Sequence, residues 1–281
     1  MIRAMKKVSL ILFIALLLAS CAAPGQVSVN TPQGQANSYP PVIEDSPARE
    51  QAARQAWTRF LAEWRLPETA LDMMPVTHTP RALPTGIAGR ININTRPGKF
   101  GEIEMKEALR LFIDRFRDVL SGLEKNVALG PRDLSLIAFT NEGNFYRATF
   151  RQVNYPVRLA ENYGELRFVI GRNGELMQWS SSLLPDVSLP ARAEINPDSL
   201  YDKLLNREFT YTTIAGRPQS FRVTKRDEIR IGGLIVYPKM NGNRLEIRLA
   251  FPVTIGTSLA WTVYVDAING EELDVKQNFA S

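Results

Sequence analysis

The chain has a single cysteine, Cys21, and a single histidine, His78, in 281 residues. One cysteine leaves no partner for an intrachain disulfide. One histidine excludes a zinc site of the His-Glu-x-x-His kind, which needs two imidazoles one helical turn apart. His78 lies in "MPVTHTPRALP", a proline-rich stretch that reads as a mobile surface loop, and no Gly-x-Ser-x-Gly elbow accompanies it. A phosphate-cradling glycine loop and a calcium-loop pattern are also missing. Two carboxylates at a set distance would suffice for glycoside hydrolysis, and Glu161, Glu165, Glu175, Asp186 and Asp266 lie near strand ends or turns. Acids at turns ordinarily bond local backbone amides, and Asp266 in "VDAING" is placed to cap its own hairpin. No catalytic residue is assigned, and no metal or cofactor is expected.

A long apolar run is missing as well. The longest, Val8 to Ala19, is shorter than the roughly 20 residues a membrane helix needs. Arg3, Lys6 and Lys7 precede it, so residues 1–20 read as an export signal. The sequence "LASC" that ends at Cys21 resembles the bacterial lipoprotein cleavage box. That resemblance implies acylation of Cys21 and lipid anchoring in the cell envelope. Each buried methylene contributes about 0.8 kcal/mol, and two or more chains hold a protein stably where one does not. Ala22 would direct such a lipoprotein to the outer membrane of a Gram-negative cell; otherwise the anchor lies on the outer face of the cytoplasmic membrane. A free buried cysteine is the alternative.

Charge of one sign is scarce once the signal is removed. The whole chain has 34 Lys+Arg against 29 Asp+Glu, a net of +5, and the signal holds three of the basic residues and none of the acidic ones. What remains is 31 against 29, or +2, which does not argue for a nucleic-acid partner. An envelope location permits disulfides, but the 261 residues after the signal can bury enough surface to manage without one.

What is present is a tether followed by a folded region. Residues 22–43 contain four prolines, two glycines and no charged side chain, so 21–44 reads as a flexible tether. Ser46-Pro47 then starts a helix, with Ala53, Ala56, Trp57, Phe60, Leu61 and Trp64 on one stripe. A second helix, "EIEMKEALRLFIDRFRDVL", places Met105, Leu109, Phe112, Phe116 and Val119 on its apolar face. A short third helix is expected after Asn196-Pro197-Asp198. The rest reads as strand. In "NRLEIRLAFPV", Leu245, Ile247, Leu249, Phe251 and Val253 alternate with Arg244, Glu246, Arg248 and Ala250, which predicts a sheet with one wet face. Asn173-Gly174, Asn241-Gly242 and Asn269-Gly270 predict tight antiparallel hairpins with both central residues at positive φ. The outward arginines Arg147, Arg151, Arg167, Arg244 and Arg248 are the candidates for a polar partner-binding surface.

"FVIGRNGEL" and "YVDAINGEEL" echo one another, their asparagines 269 − 173 = 96 residues apart. A helix packed on a curved antiparallel sheet, built twice, accounts for the spacing, and the last hairpin then completes the second copy. The expected class is α+β. Two unrelated hairpins sharing a favoured turn are the alternative.

Two stretches carry a family resemblance. "FYRATFRQVNYPVRLAENYGELRFVIGRNGELMQWSSSLLPDV" resembles the FTP propeptide module of fungalysin- and thermolysin-like metalloproteases, with Gln152, Asn154, Pro156, Val157 and Gly174 at matching places. "LIVYPKMNGNRLEIRLAFPV" with "WTVYVDAINGEEL" resembles the PepSY module that follows it, through Tyr237, Val253, Trp261, Val265, Asp266, Ala267, Gly270 and Glu271. The segment from Gln152 to Pro156 and Val157 is shorter than in the family and lacks its glycine, and the protease domain expected after Glu271 has no counterpart. The resemblance covers roughly residues 100–281 and implies duplicated PepSY-like units, an FTP-like unit over 100–190 and a PepSY-like unit over 191–281; residues 45–99 before them read as an N-terminal helix and strand segment. It implies a non-catalytic module that binds a protein partner, as an inhibitor or chaperone of secreted or envelope peptidases. The alternative it implies is an extracytoplasmic regulatory or scaffold domain acting on a membrane sensor kinase or a cell-wall lytic enzyme.

Overall fold

The computed structural model describes residues 39–94, 101–121, 133–213, 215–257 and 260–279. Cys21, the signal and most of the expected tether lie outside them. Among the described residues the chain is α+β, with curled antiparallel sheets and few helices.

The first layer is helical. Helix α1 (Pro47–Glu63) is capped by Ser46, whose hydroxyl faces the Arg49 amide, and Pro47 supplies a first-turn residue with no amide to satisfy. Helix α2 (Glu102–Arg115) stops at Phe116, whose φ of −111° and ψ of 25° leave the helix, and α3 (Arg117–Ser121) follows, so the expected single helix is two. These helices cover one face of a four-stranded meander, β2 (Leu134–Asn141), β3 (Phe145–Gln152), β4 (Glu165–Gly171) and β5 (Leu176–Ser181). Phe60 sits at the centre of the packing. Its ring meets Phe116 edge-on at 4.9 Å and Trp179 at 5.6 Å, and Trp57 stacks on it at 5.1 Å. Edge and offset arrangements of this kind add to the burial of the rings themselves.

One edge of this sheet is occupied. Residues 81–93 run along β5: Leu83 N–H donates to Trp179, Ser181 N–H to Arg81, and Leu176 N–H to Ile91, at 2.8 to 3.1 Å. The β2 edge has no such cover among the described residues.

The second sheet is organised by β10 (Arg244–Ile255). On one side it pairs with β9 (Ile235–Asn241) and then β8 (Ile229–Ile231). On the other it pairs with β1 (Val42–Glu44) and then β11 (Trp261–Asp266), which carries β12 (Glu272–Gln277) at the edge. Helix α4 (Ser199–Leu204) buries Leu200 and Leu204 against this sheet's core face. A separate two-stranded hairpin, β6 (Glu208–Thr212) and β7 (Pro218–Arg222), stacks Phe209 and Phe221 on Trp261.

Four expectations are corrected. Residues 39–44 are packed, because β10 is longer than β11 and Val42–Glu44 fills the vacant half of its edge with Ile43 buried. His78 is buried rather than on the surface: its Nε2 lies 2.8 Å from an Asp45 carboxylate oxygen, in a tight turn at φ 53°. The expected wet face of β10 is covered, with Arg248 and Ala250 buried, because residues 158–160 pair with β9 and bring Ala160 and Tyr163 over it. Finally, the Asn-Gly turns have positive φ only at glycine; between β9 and β10 the two turn residues are Gly242 and Asn243, an arrangement with glycine leading.

Gly174 has φ 96°, and a Cβ there would lie 2.7 Å from both Asn92 Oδ1 and Asn94 Cβ. Gly242 has φ 62° with open space around it. Gly174→Ala should therefore destabilise clearly more than Gly242→Ala, which costs only the left-handed backbone penalty of roughly 1–2 kcal/mol. Urea unfolding of the two variants compares them directly; equal midpoints would show that residues 92–94 move freely aside.

Candidate protein-binding edge

Strand β2 is the exposed edge of the four-stranded sheet, and its eight residues, "LSLIAFTN", include no charged side chain. Edge strands in natural sheets are usually guarded against further pairing by charges, prolines, bulges or cover. The β12 edge follows that rule, with Glu272, Asp274 and Lys276 at alternate positions. On β2 the only such device is a bulge at Ile137, between Leu136, which faces Phe150, and Ala138, which faces Thr149. Ile137 itself is 44% exposed.

Beside this edge one face of α2 and the start of β2 line a groove of about 420 Å³. Ile103, Lys106, Arg110 and Ile113 form its helical wall; Leu134, Leu136 and Phe150 form its floor. Ile103 is 79% exposed at the mouth. The rim charges are internally compensated, Lys106 by Glu102 and Arg110 by Glu107. A strand added to β2 would find backbone donors and acceptors along the edge, and its alternate side chains would enter an apolar trough.

The arginines singled out in the sequence do not form one surface. Arg147, Arg151 and Arg167 lie on the solvent face of the four-stranded sheet, and each is paired: Arg147 with Glu142 at 2.7 Å, Arg151 and Arg167 both with Glu165, at 2.8 and 2.5 Å. Burial pushes the Glu165 carboxyl upward, but its bonds to the two guanidinium groups outweigh that and hold it below the usual range. Arg244 belongs to the other sheet and pairs with Glu44 at 3.0 Å. Arg248 is buried and is corrected from a surface candidate to an internal one.

Arg248 belongs to a polar node that sequence reasoning did not assemble. One carboxylate oxygen of the fully buried Asp266 accepts from Ile268 N–H and Asn269 N–H, at 2.8 and 3.2 Å. The other accepts from Arg248 Nη1 at 2.9 Å and from the Tyr39 hydroxyl at 2.9 Å. That hydroxyl in turn accepts from Leu249 N–H at 2.9 Å. Arg248 also bonds Glu246 and Glu271. Desolvation, reinforced by the neighbouring Asp266 charge, moves the Tyr39 hydroxyl far above its ordinary value, so it stays a donor. No signal in the sequence tied Tyr39 to a residue 227 positions away.

The other motif residues hold turns. Gln152 clamps residue 184 with both ends of its amide, Nε2 to Leu184 O at 2.9 Å and Leu184 N–H to Oε1 at 2.8 Å. Pro156 is exposed beside Tyr155, whose hydroxyl donates to Pro185 O. Gly270 N–H closes on Asp266 O at 3.0 Å, and the Glu271 amide donates to Asn269 Oδ1 at 2.9 Å. Of the remaining acids, Glu161 and Asp186 are exposed, and Glu175 accepts from the Asn173 backbone and side chain. No group of three or more His, Cys, Asp or Glu able to hold a metal occurs among the described residues.

No family model matches the chain, and no curated protein matches it. Among solved structures it is similar to the "Bacillus megaterium YpeB C-terminal domain", at 12% identity and a TM-score of 0.28, over 84% of this chain and 99% of that one.

Tyr39→Phe should cost roughly 1–3 kcal/mol, since it leaves the Leu249 amide buried without its acceptor. Chemical denaturation reads the loss, and amide exchange at Leu249 should quicken more than at Val263. The acid limb of stability tests the same node. Burial raises the Glu246 carboxyl, but its bonds to Arg248 and Asn241 outweigh that and leave it below the ordinary range. Its stabilisation is therefore complete above the unfolded value of about 4.3 and is lost as pH falls through the lower folded value. Glu246→Gln should flatten the pH dependence there; an unchanged acid limb would assign the dependence to other carboxylates.

Proposed function

We propose that the chain is a non-catalytic, lipid-anchored envelope protein whose folded region binds an extended segment of a protein partner along β2, with a secreted or envelope peptidase as the partner class. The observation that carries this is the uncharged β2 edge, without cover among the described residues, running beside an apolar groove. Main-chain pairing would supply affinity and the trough would select side chains, the logic of strand addition. The motif stretches quoted above supply the peptidase reading, because the modules they resemble bind such enzymes.

Two further parts belong to the same proposal. The α2–α3 helices followed by β2–β5, and α4 followed by β9–β12, have like order, and the Asn-Gly-Glu hairpins join the third and fourth strands of each meander. This supports a duplicated, PepSY-like origin with the β6–β7 hairpin and β8 inserted in the second copy. Anchoring through Cys21 rests on the signal and cleavage-box reading; no helix among the described residues is long and apolar enough to cross a membrane.

Titrating the mature chain into a thermolysin-like peptidase should slow it at stoichiometric amounts. Ile137→Lys places a charge on the exposed edge and should weaken the effect at least about tenfold, with stability changed by no more than about 0.5 kcal/mol. Inhibition by the variant equal to the parent would remove β2 from the interface, and no slowing across several such enzymes would remove the peptidase class. Anchoring is read separately, by mass spectrometry of the cell-derived protein. An acylated N-terminal Cys21 peptide is expected, and an unmodified Cys21 would overturn the anchor.

A further inference from the structure

We propose that the β6–β7 hairpin and the turn that follows it form a cationic surface that rests on anionic phospholipid headgroups. The charge distribution carries the proposal. Residues 199–231 hold seven Lys and Arg against four Asp and Glu. After removal of the signal the chain has 31 against 29, so the remainder holds 31 − 7 = 24 against 29 − 4 = 25. The net positive charge of the mature chain therefore lies entirely in this segment.

Pairing concentrates it further. Arg207 is neutralised by Glu272 and Arg222 by Glu208. Lys203, Arg217, Lys225, Arg226 and Arg230 are exposed, and none of them joins an ion pair among the described residues. Lys203 instead donates to Gly270 O, and the Arg226 guanidinium lies 4.1 Å over the Tyr201 ring, which braces it without cancelling its charge. The Glu228 carboxylate accepts from Thr224 N–H and Lys225 N–H at 2.7 and 2.9 Å and also feels the Lys225 charge, so Lys225 is partly offset. Asp198 at the start of α4, Asp202 and Asp227 are the exposed acids left nearby. The hairpin is backed by Trp261 through Phe209 and Phe221, so it is held against the core, while Thr210, Thr212, Pro218, Ser220 and Arg222 face solvent.

The occupant follows from charge complementarity and from position. The membrane half of the argument rests on the anchor reading: an acylated Cys21, 18 positions before Tyr39, would keep the chain at a bilayer, where a weak attraction acts at high effective concentration. Each cation close to an anionic leaflet then contributes roughly a fivefold gain in partitioning, screened by salt over about 10 Å.

The test uses residues 21–281 with Cys21→Ser, so acylation plays no part in the outcome and failure of the anchor reading is scored separately. Co-sedimentation is measured with phosphatidylcholine vesicles and with vesicles containing equal phosphatidylglycerol, at low and high salt. Binding to the anionic vesicles alone, lost at high salt, is expected. R217E/R226E/R230E should lower the partition coefficient roughly 100-fold. R54E/R65E/R90E makes the same change of net charge on exposed sites elsewhere and should leave most of the binding. Equal losses in the two triple variants would reduce the effect to net charge and overturn the proposal. So would binding that ignores phosphatidylglycerol, or no binding at all.

Discussion

The second sheet depends on one buried carboxylate. Asp266 lies at the end of β11, and its two oxygens face opposite tasks: one closes the last hairpin, the other receives Arg248 and Tyr39. An ionised carboxylate taken out of water is costly unless it is fully bonded, and here both oxygens are used. The consequence reaches along the chain. Tyr39 can donate to Asp266 only if residues 39–44 lie in the half of the β10 edge that β11 does not reach, and with Pro41 O accepting the Ile247 amide that half is satisfied. The N-terminal strand and the C-terminal hairpin are thus a single construction, although they stand at opposite ends of the folded region.

Burying Arg248 is the other consequence. Its guanidinium meets Asp266, Glu246 and Glu271, and Lys239 lies 3.2 Å from Glu271. A two-faced amphipathic strand would have left these groups wet. Residues 158–160 instead pair with β9 and lay Ala160 and Tyr163 over Tyr237 and Ala250. Tyr237 can stack on Tyr264 at 4.3 Å across the strand between them, with alanine at position 250 placing only a methyl group on that strand. The outer face of this sheet is therefore a small second core stitched by polar groups, whereas the outer face of β3 and β4 remains open and is crossed by salt bridges.

Much of this was legible from periodicity. The stripe of α1 and the alternation of β10 both follow from side-chain spacing, and spacing is local. What escaped was non-local. Alternation showed that Arg248 and Leu249 point to opposite faces but could not show that another segment covers the arginine. Tyr39 lies in a stretch rich in proline and free of charge, which reads as tether by composition; its hydroxyl matters because β11 leaves half of the β10 edge unpaired, where Leu249, 210 residues later, donates to it. His78 is the same case, since its partner Asp45 lies 33 positions away, beyond the reach of local pattern. The asparagine–glycine turns were found by their dipeptides, but which two residues occupy the corner is set by strand register, and register is decided by burial across the whole sheet.

Among the described residues, the β2 and β12 edges are guarded differently. β12 places an acid, an acid and a lysine on alternate positions, which makes pairing by a foreign strand unfavourable in either register. β2 has a comparable length and a comparable position at the end of its sheet, yet it shows solvent Ser135, Ile137, Ala138 and Thr140. A sheet whose opposite edge, β5, is already sealed by residues 81–93 has one direction left in which to grow. The bulge at Ile137 twists that edge locally without charging it, so it disfavours a long flat partner more than a short one. Among the described residues, then, charge and cover protect every long edge except one, and the exception lies beside the apolar groove.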